Sequence, residues 1–236
     1  MIADRYRILR EVGMGTFGRV VECLDLKKHS KRGRERERDF VDNGVVALKI
    51  VRNVKRYHDS ALIEADIVED VNRRGGRGIS HCARMFDGFS FAGHYCMVFE
   101  SLGPSLYDFL KRQKYQPFPL MCVRDFAKQL LETLEFLHSF RLIHTDLKPE
   151  NILLLNGREV NYKGRKIPEC TRIKVIDFGG ATYDNGKKSS IVNTRQYRAP
   201  EVILGTGWSM PSDLWSVGKF SCDIRAFNEV ERVDPL

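Results

Sequence analysis

The stretch from His144 to Asn151 places three polar side chains at a spacing that suits transfer of a group to a hydroxyl. Asp146 offers a carboxylate that can orient a substrate hydroxyl and accept its proton. Lys148 offers a cation for the negative charge of a transferring phosphoryl group, and Asn151 offers an amide oxygen that can hold a metal ion. This set of groups favours transfer of a phosphoryl group to a hydroxyl.

A second group that suits a metal ion follows a predicted short strand at residues 173–176. Asp177 begins an Asp-Phe-Gly sequence, and a carboxylate at the end of a strand can chelate Mg²⁺ between phosphates. Taken alone, this tripeptide is more often a simple turn. In combination with Asn151, it predicts a two-ligand magnesium site.

Three glycines near the N-terminus follow the pattern G-x-G-x-x-G-x-V, at Gly13, Gly15 and Gly18. Glycines let the backbone approach phosphates and offer its N–H groups to them. A dinucleotide-binding fold would continue into a helix, but residues 20–24 have the pattern of a strand. This context favours a loop that covers a nucleotide from within a β-hairpin.

A lysine at position 49 lies inside an apolar run, after Val46-Ala47-Leu48 and before Ile50 and Val51. A buried ammonium group needs a partner, because an unpaired charge in an apolar environment is costly. Glu64, in a predicted helix, is the first candidate partner, and Glu69 is the second. The alternative is that Lys49 lies on an edge strand and points to water.

The predicted secondary structure that must position these groups changes near residues 103–104, from mainly strands to mainly helices. Before this point, β-rich runs predict strands, including alternation of Tyr6, Ile8 and Val12 with polar residues, and one helix is predicted over residues 60–71. After it, apolar spacing predicts an amphipathic helix over residues 123–137. Further predicted elements are short strands at 152–155 and 173–176 and a loop or hairpin insertion at 156–172.

Composition narrows the class of protein. The chain has 236 residues, of which 42% are hydrophobic and 30% charged, and its six cysteines form no C-x-x-C pair. These values favour a globular protein with reduced thiols over membrane, fibrous or secreted disulfide-rich proteins. The net charge is +8, and residues 27–38 hold seven basic and two acidic residues. We interpret this run as a solvated loop, since no aromatic residues are interleaved for nucleic-acid binding.

From about residue 4 to 218 the sequence resembles the eukaryotic protein kinases, and more narrowly the LAMMER (CDC-like) dual-specificity kinases. The catalytic loop contains His144-Thr145-Asp146, where most kinases have His-Arg-Asp. The other stretches that carry the resemblance are residues 98–109, 177–183, 194–201, 207–209 and 213–218.

This resemblance implies an α+β, two-lobed protein-kinase-like fold with a β-rich N-lobe and an incomplete helical C-lobe. The expected domains are an N-lobe at 1–102, a partial C-lobe at 103–218 and a divergent tail at 219–236. We also expect the C-lobe to be truncated relative to the family, with the helix that begins near Asp213 ending soon after it starts.

The resemblance further implies ATP and Mg²⁺ as cofactors. Lys49 and Glu64 would join Asp146 and Lys148 as catalytic residues. Phe99 would be the gatekeeper behind the adenine, and Glu100 and Leu102 would offer hinge backbone groups. The residues expected to contact the nucleotide are Val12, Gly13, Gly15, Gly18, Val20, Ala47, Lys49, Phe99, Glu100, Leu102 and Leu153.

The implied function is transfer of the ATP γ-phosphate to Ser and Thr of Arg/Ser-rich splicing factors, with Tyr autophosphorylation. The expected location is the nucleus, with the cytoplasm as a second one, and the expected protein is a monomer that binds neither nucleic acid nor membrane. The alternative is a truncated isoform with weak or no activity that acts as a nucleotide-binding or partner-binding scaffold.

Thr145 has a physical consequence of its own. The Arg that most kinases have at this position binds a phosphate on the activation segment. A threonine cannot bind that phosphate as a cation. We therefore expect residues 180–198 to become ordered without phosphorylation.

Overall fold

A computed structural model describes residues 1–15, 17–29, 44–75, 81–186 and 188–226. The chain divides into two compact units, Met1–Asn72 with Ala83–Ser101 (unit 1) and Arg73–Cys82 with Leu102–Leu236 (unit 2). The boundaries expected at residues 102 and 218 remain predictions. Most of the basic run at 27–38, expected to be a solvated loop, lies outside the described residues.

Unit 1 is built on a five-stranded antiparallel sheet with the strand order β1-β2-β3-β5-β4. Strand β4 was absent from the sequence-based prediction. The elements are β1 (Tyr6–Met14), β2 (Gly18–Asp25), α1 (Leu26–His29), β3 (Val45–Val51), α2 (Lys55–Gly75), β4 (Met85–Phe91) and β5 (His94–Glu100).

One face of this sheet is a buried apolar core, with Val46 and Leu48 of the central strand 1% and 0% exposed. The strand predicted from Tyr6, Ile8 and Val12 is confirmed as β1. Tyr6 is buried, but Ile8 and Val12 are 47% and 53% exposed. Strand β1 lies at the edge of the sheet, and Tyr6 is its only buried residue.

The three glycines of the loop between β1 and β2 differ in their surroundings. A Cβ atom at Gly18 would lie 2.1 Å from the carbonyl oxygen of Ile50 on β3, which is far inside contact distance. A Cβ atom at Gly13 or Gly15 would meet nothing within 4 Å. Gly18 is therefore required for the close approach of β2 to β3, whereas Gly13 and Gly15 leave open space beside the backbone.

Unit 2 is mainly helical, and the predicted amphipathic helix is confirmed as α4. Its buried residues, which include Phe126, Leu130 and Leu134, form the centre of a single large core. The elements are α3 (Leu106–Arg112), α4 (Leu120–Ser139), β6 (Leu142–Ile143), β7 (Ile152–Leu154), β8 (Glu159–Tyr162), β9 (Arg165–Pro168), β10 (Ile173–Val175), β11 (Thr182–Tyr183), α5 (Pro200–Leu204) and α6 (Pro211–Ala226), with 3₁₀ turns at Pro149–Asn151 and Arg195–Tyr197.

Three antiparallel strand pairs complete unit 2, namely β6 with β11, β7 with β10 and β8 with β9. Residues 156–172 were expected to form a loop or a hairpin, and the pairing of β8 with β9 shows that they contain a hairpin. Its two-residue turn, Lys163-Gly164, has positive φ at both positions, which matches the twist of the flanking strands.

Helix α6 contradicts the expectation that it ends soon after Asp213. The helix has 16 residues in all, from Pro211 to Ala226. Phe220 and Ile224 are buried in the core of unit 2, and the backbone N–H of Phe118 donates to the carbonyl oxygen of Ile224 at 3.1 Å. Across the described ranges, no helix combines the length and apolar character that a membrane span requires.

Candidate active site

Lys49 and Glu64 form a close ion pair within unit 1. The Lys49 Nζ atom donates to both carboxylate oxygens of Glu64, at 2.6 and 2.8 Å. The Glu64 side chain is 8% exposed and that of Lys49 is 21% exposed. Glu69, the other candidate, is exposed on the same helix. The pair holds the ammonium group at a fixed point beside β3.

The face of the sheet that carries Lys49 also carries three of the residues expected to line the nucleotide pocket. Val20 is paired with Lys49, and Ala47 is paired with Phe99. Paired residues and residues two apart on a strand share one face. The register therefore brings Val20, Ala47 and Phe99 onto the face of Lys49, opposite the buried core.

The remaining predicted nucleotide contacts are divided between the units. Val12 falls at a register irregularity of β1, next to the glycine loop. The carboxylate of Glu100 accepts a hydrogen bond from the backbone N–H of Arg84 at 2.8 Å, which anchors the end of β5. Leu102 belongs to unit 2, as does Leu153 on β7, which forms a backbone bridge with Ser105.

The catalytic loop of unit 2 runs from β6 to the 3₁₀ turn at Pro149–Asn151. Asp213 at the start of α6 is fully buried and accepts the backbone N–H groups of His144 and Thr145, at 2.8 and 2.9 Å. It also contacts His138 Nε2 at 3.1 Å. Thr145 has φ of +70°, a strained value for a β-branched residue. Asp213 therefore fixes a strained backbone immediately before Asp146.

The Asp146 carboxylate receives hydrogen bonds at both of its oxygens. Oδ2 accepts from Lys148 Nζ at 2.7 Å and from Asn151 Nδ2 at 3.3 Å. Oδ1 accepts from the Thr194 backbone N–H at 3.1 Å and from the Thr194 hydroxyl at 2.6 Å. Burial favours a higher pKa for Asp146, but the hydrogen bonds from Lys148 and Thr194 outweigh it and lower the pKa. The carboxylate is thus ionised at neutral pH.

Thr194 is a functional residue that sequence reasoning missed. Its hydroxyl donates to Asp146 and accepts from Lys148 Nζ at 2.9 Å, so it contacts both predicted catalytic residues of the loop. Its stretch, residues 194–201, was recognised only as part of the family resemblance. Thr194 and Asp146 are 48 residues apart in the sequence, and spacing alone does not predict a contact between residues so far apart in the chain.

His144 connects the catalytic loop to the residues before Asp177. Its Nε2 lies 3.1 Å from the carbonyl oxygen of Ile176, and its Nδ1 lies 3.2 Å from the backbone N–H of Asp146. With these partners, Nε2 donates to Ile176 and Nδ1 accepts from Asp146. The ring also meets the buried ring of Phe178 edge-on, at 4.9 Å between centroids. The sequence 176–178 is thereby attached to the loop.

Asn151 lies beside the residue that precedes Asp177, because the backbone N–H of Ile176 donates to the carbonyl oxygen of Asn151 at 3.0 Å. The amide and carboxylate oxygens of Asn151 and Asp177 are ligands that suit a magnesium ion bound with phosphates. The Asn151 Nδ2 atom donates to the Asp146 carbonyl oxygen at 2.9 Å, which leaves the amide oxygen of Asn151 as the acceptor for a cation. Among the described residues, no group of three or more His, Cys, Asp or Glu side chains could hold a metal alone. Two protein ligands completed by phosphate oxygens are the usual arrangement for Mg²⁺.

The segment after Asp177 is held by neutral and ionic contacts within unit 2. The Thr145 hydroxyl donates to the carbonyl oxygen of Gly180 at 2.8 Å. Asp184 is paired with Lys188 at 2.6 Å and with Arg141 at 2.8 Å, and it accepts from the Ser209 hydroxyl at 2.7 Å. The hydrogen bonds from Lys188 and Ser209 lower the pKa of Asp184 to about 2.

We expect removal of phosphate from the protein by a phosphatase to leave its melting temperature unchanged, because the Asp184 carboxylate already neutralises Lys188 and Arg141.

Asp184→Asn should lower the melting temperature near pH 6. The folded-state pKa lies below the unfolded value of about 3.9, so the contribution of Asp184 is complete above pH ~4 and is lost as the pH falls toward 2. Melting curves of both proteins from pH 6 to 2.5 check this.

The difference between the two melting temperatures should close at the acidic end of this series. A constant difference would mean that the charge of Asp184 is not what stabilises the segment. A lower melting temperature of the wild-type protein after phosphatase treatment would mean that a phosphate contributes to its order.

Comparisons with known proteins agree with this arrangement. The family model described as "Protein kinase domain" matches residues 6–229. Serine/threonine-protein kinase AFC3 of Arabidopsis thaliana is 46% identical over 92% of this chain and 53% of its own length. Dual specificity protein kinase CLK2 of Homo sapiens is 44% identical over 92% of this chain and 42% of its own length. The chain thus spans about half the length of these curated relatives.

A solved structure gives the same result for the fold. The crystal structure of the PF14_0431 kinase domain superposes with a TM-score of 0.84 and 35% sequence identity, covering 99% of this chain and 68% of that chain. The five-stranded sheet, the helical second unit and the family match lead to one conclusion. This chain belongs to the protein kinase family, and it is similar to the AFC and CLK (LAMMER) kinases.

Proposed function

We propose that this chain transfers the γ-phosphoryl group of ATP to Ser and Thr hydroxyls of Arg/Ser-rich splicing factors in the nucleus, and to Tyr by autophosphorylation. The observation that carries the proposal is the Asp146 carboxylate, ionised and hydrogen-bonded to Lys148, Asn151 and Thr194. The printed names of the relatives, serine/threonine-protein kinase AFC3 and dual specificity protein kinase CLK2, support the acceptor residues.

In the proposed reaction, Asp146 orients the substrate hydroxyl and accepts its proton as the new bond from oxygen to the γ-phosphorus forms. The bond from the γ-phosphorus to the bridging oxygen breaks, and ADP leaves with that oxygen. Lys148 stabilises the charge on the transferring group, and Lys49, held by Glu64, binds ATP phosphates. Mg²⁺, when bound by Asn151 and Asp177, would neutralise phosphate charge.

The substrate class is proposed from the family resemblance and needs its own test. A net charge of +8 disfavours Arg-rich segments by long-range repulsion. The alternative function, a nucleotide-binding or partner-binding scaffold, would use the Lys49–Glu64 pair for phosphate and would not need Asp146. The two functions differ in phosphoryl transfer and agree in nucleotide binding.

Phosphoryl transfer and nucleotide binding should be measured on the same purified chain. We expect MgATP at 100 times its Kd to stabilise the protein by about 2.7 kcal/mol, seen as a higher melting temperature. We also expect phosphate from radiolabelled ATP on an Arg/Ser-repeat peptide, and none on the matched Arg/Ala peptide.

Stabilisation by MgATP without labelling of either peptide or the chain would reject the transfer reaction and favour the scaffold. Labelling of an acidic Ser peptide in preference to the Arg/Ser peptide would reject the substrate class but retain the enzyme. No stabilisation by MgATP would reject both the transfer reaction and the nucleotide-binding scaffold.

A further inference from the structure

The glycine loop is attached to the rest of unit 1 by contacts that the proposed reaction does not use. The backbone N–H of Arg52, just after β3, donates to the carbonyl oxygen of Phe17 at 2.9 Å. The Arg52 guanidinium reaches the carbonyl oxygen of Gly15 at 3.4 Å. The Phe17 ring meets the Tyr57 ring edge-on, with centroids 5.3 Å apart and planes at 83°.

Phe17 is otherwise an unusual residue for this place. Its side chain is 57% exposed, although burial of an aromatic ring is strongly favourable. The packing of the sheet therefore does not explain an aromatic residue here. The contact with Tyr57 gives Phe17 a definite position above the first turn of α2.

Tyr57 itself is firmly anchored. Its ring packs against a small buried cluster made of Val51, Ala61, Ala65 and Met97. The Arg56 guanidinium lies 4.9 Å from the centroid of the ring and donates to the Tyr57 hydroxyl at 3.1 Å. The anchor is thus part of the core that lies between α2 and the sheet.

The same helix holds Glu64 against Lys49. Tyr57 and Glu64 are seven residues apart, which is about two helical turns, so they lie on one face of α2. Lys49 and Arg52 are three residues apart around the end of β3. The tip of the glycine loop and the Lys49–Glu64 pair are consequently attached to the same two elements.

We propose that Tyr57 is a positioning residue for ATP, which acts through Phe17 to hold the glycine loop in the conformation that binds the phosphates. This inference rests on the proposed nucleotide binding. A loop that is already in place loses less conformational freedom when the ligand binds. The contact also joins loop closure to the position of α2, so that the backbone N–H groups of the loop and the ammonium of Lys49 are presented together.

The test compares Tyr57→Leu with Tyr57→Phe in the full chain. An edge-on aromatic pair accounts for about a two- to tenfold change in an equilibrium constant, so Tyr57→Leu should raise the Kd for MgATP by that factor. Tyr57→Phe keeps the ring and should stay within about twofold of the wild type. Phe17→Leu should weaken binding similarly, and the double variant should be no weaker than either single one.

His58→Leu is the matched control. His58 lies on the same turn of α2 and makes a comparable edge-on contact with Tyr95, at 5.7 Å, but that contact joins α2 to β5 and not to the loop. It should leave the Kd for MgATP unchanged. Amide hydrogen exchange of residues 13–18 in the nucleotide-free protein should become faster in Tyr57→Leu and stay the same in His58→Leu.

Wild-type affinity in Tyr57→Leu, fully additive effects of Tyr57→Leu and Phe17→Leu, or equal weakening by His58→Leu would each overturn the proposal. If the wild-type chain does not bind MgATP, the proposed function fails. The exchange comparison then still decides whether Tyr57 holds the loop, because unchanged exchange in Tyr57→Leu would reject that role in the free protein.

Discussion

Asp146→Asn is expected to lower the rate of phosphoryl transfer by roughly 10²- to 10⁴-fold, which is the usual contribution of a positioned general base. The amide has almost the same shape as the carboxylate but cannot accept the hydroxyl proton. It also loses the ionic contact with Lys148, which lies 2.7 Å from the carboxylate. Initial rates with saturating MgATP and peptide, measured beside the wild-type chain, check this.

Binding of MgATP separates a chemical effect from a structural one. The groups proposed to bind MgATP are Lys49, Asn151 and Asp177, and Asp146 is not among them, so the Kd for MgATP should change by less than about threefold in Asp146→Asn. Asp59→Asn, at an exposed position of α2, provides the surface control and should leave the rate unchanged. A rate for Asp146→Asn above one tenth of the wild-type rate would show that Asp146 is not the base.

Asp213→Ala should cause the largest loss of stability, about 2–6 kcal/mol. It removes the acceptor of two backbone N–H groups on buried residues, His144 and Thr145, and each unsatisfied group costs about 1–3 kcal/mol. This loss is a large fraction of a typical total of about 5–15 kcal/mol. Asp213→Asn keeps one carbonyl oxygen and should lie between the wild type and Asp213→Ala. Urea unfolding at constant m-value measures the three free energies of unfolding.

Asp223→Ala is the control on the same helix. Asp223 pairs with Lys219, whose side chain is 46% exposed, and such surface ion pairs contribute about 0–1 kcal/mol. If Asp213→Ala is no more destabilising than Asp223→Ala, then the strained backbone at Thr145 does not depend on Asp213.

Sequence reasoning succeeded where the groups are close in the chain or follow one clear period. Asp146, Lys148 and Asn151 lie within six residues, so their spacing alone places them in one loop. The choice between Glu64 and Glu69 depended on which face of α2 is buried. Glu64 lies on the face of the buried residues Ala61 and Ala65, and Glu69 lies outside it.

Where reasoning failed, the cause was either distance in the chain or too much weight on family pattern. Thr194 contacts Asp146 only through the tertiary fold, as does Asp184 with Arg141. Helix α6 was expected to stop where the family resemblance stops. The apolar residues Val217, Phe220 and Ile224 nevertheless keep helical spacing and are all buried, so the periodicity itself indicated a longer helix.

The three glycines of the loop have unequal surroundings, so the short motif meets two different requirements, one of folding and one of ligand binding. Gly18 is fixed by the approach of Ile50, so any side chain there acts first on folding and lowers the amount of protein that accumulates in a cell. Gly13 and Gly15 face open space, so we expect alanine at either position to leave abundance intact and to change only nucleotide binding. Substitutions in this one motif should therefore change protein abundance at Gly18, and nucleotide binding at Gly13 and Gly15.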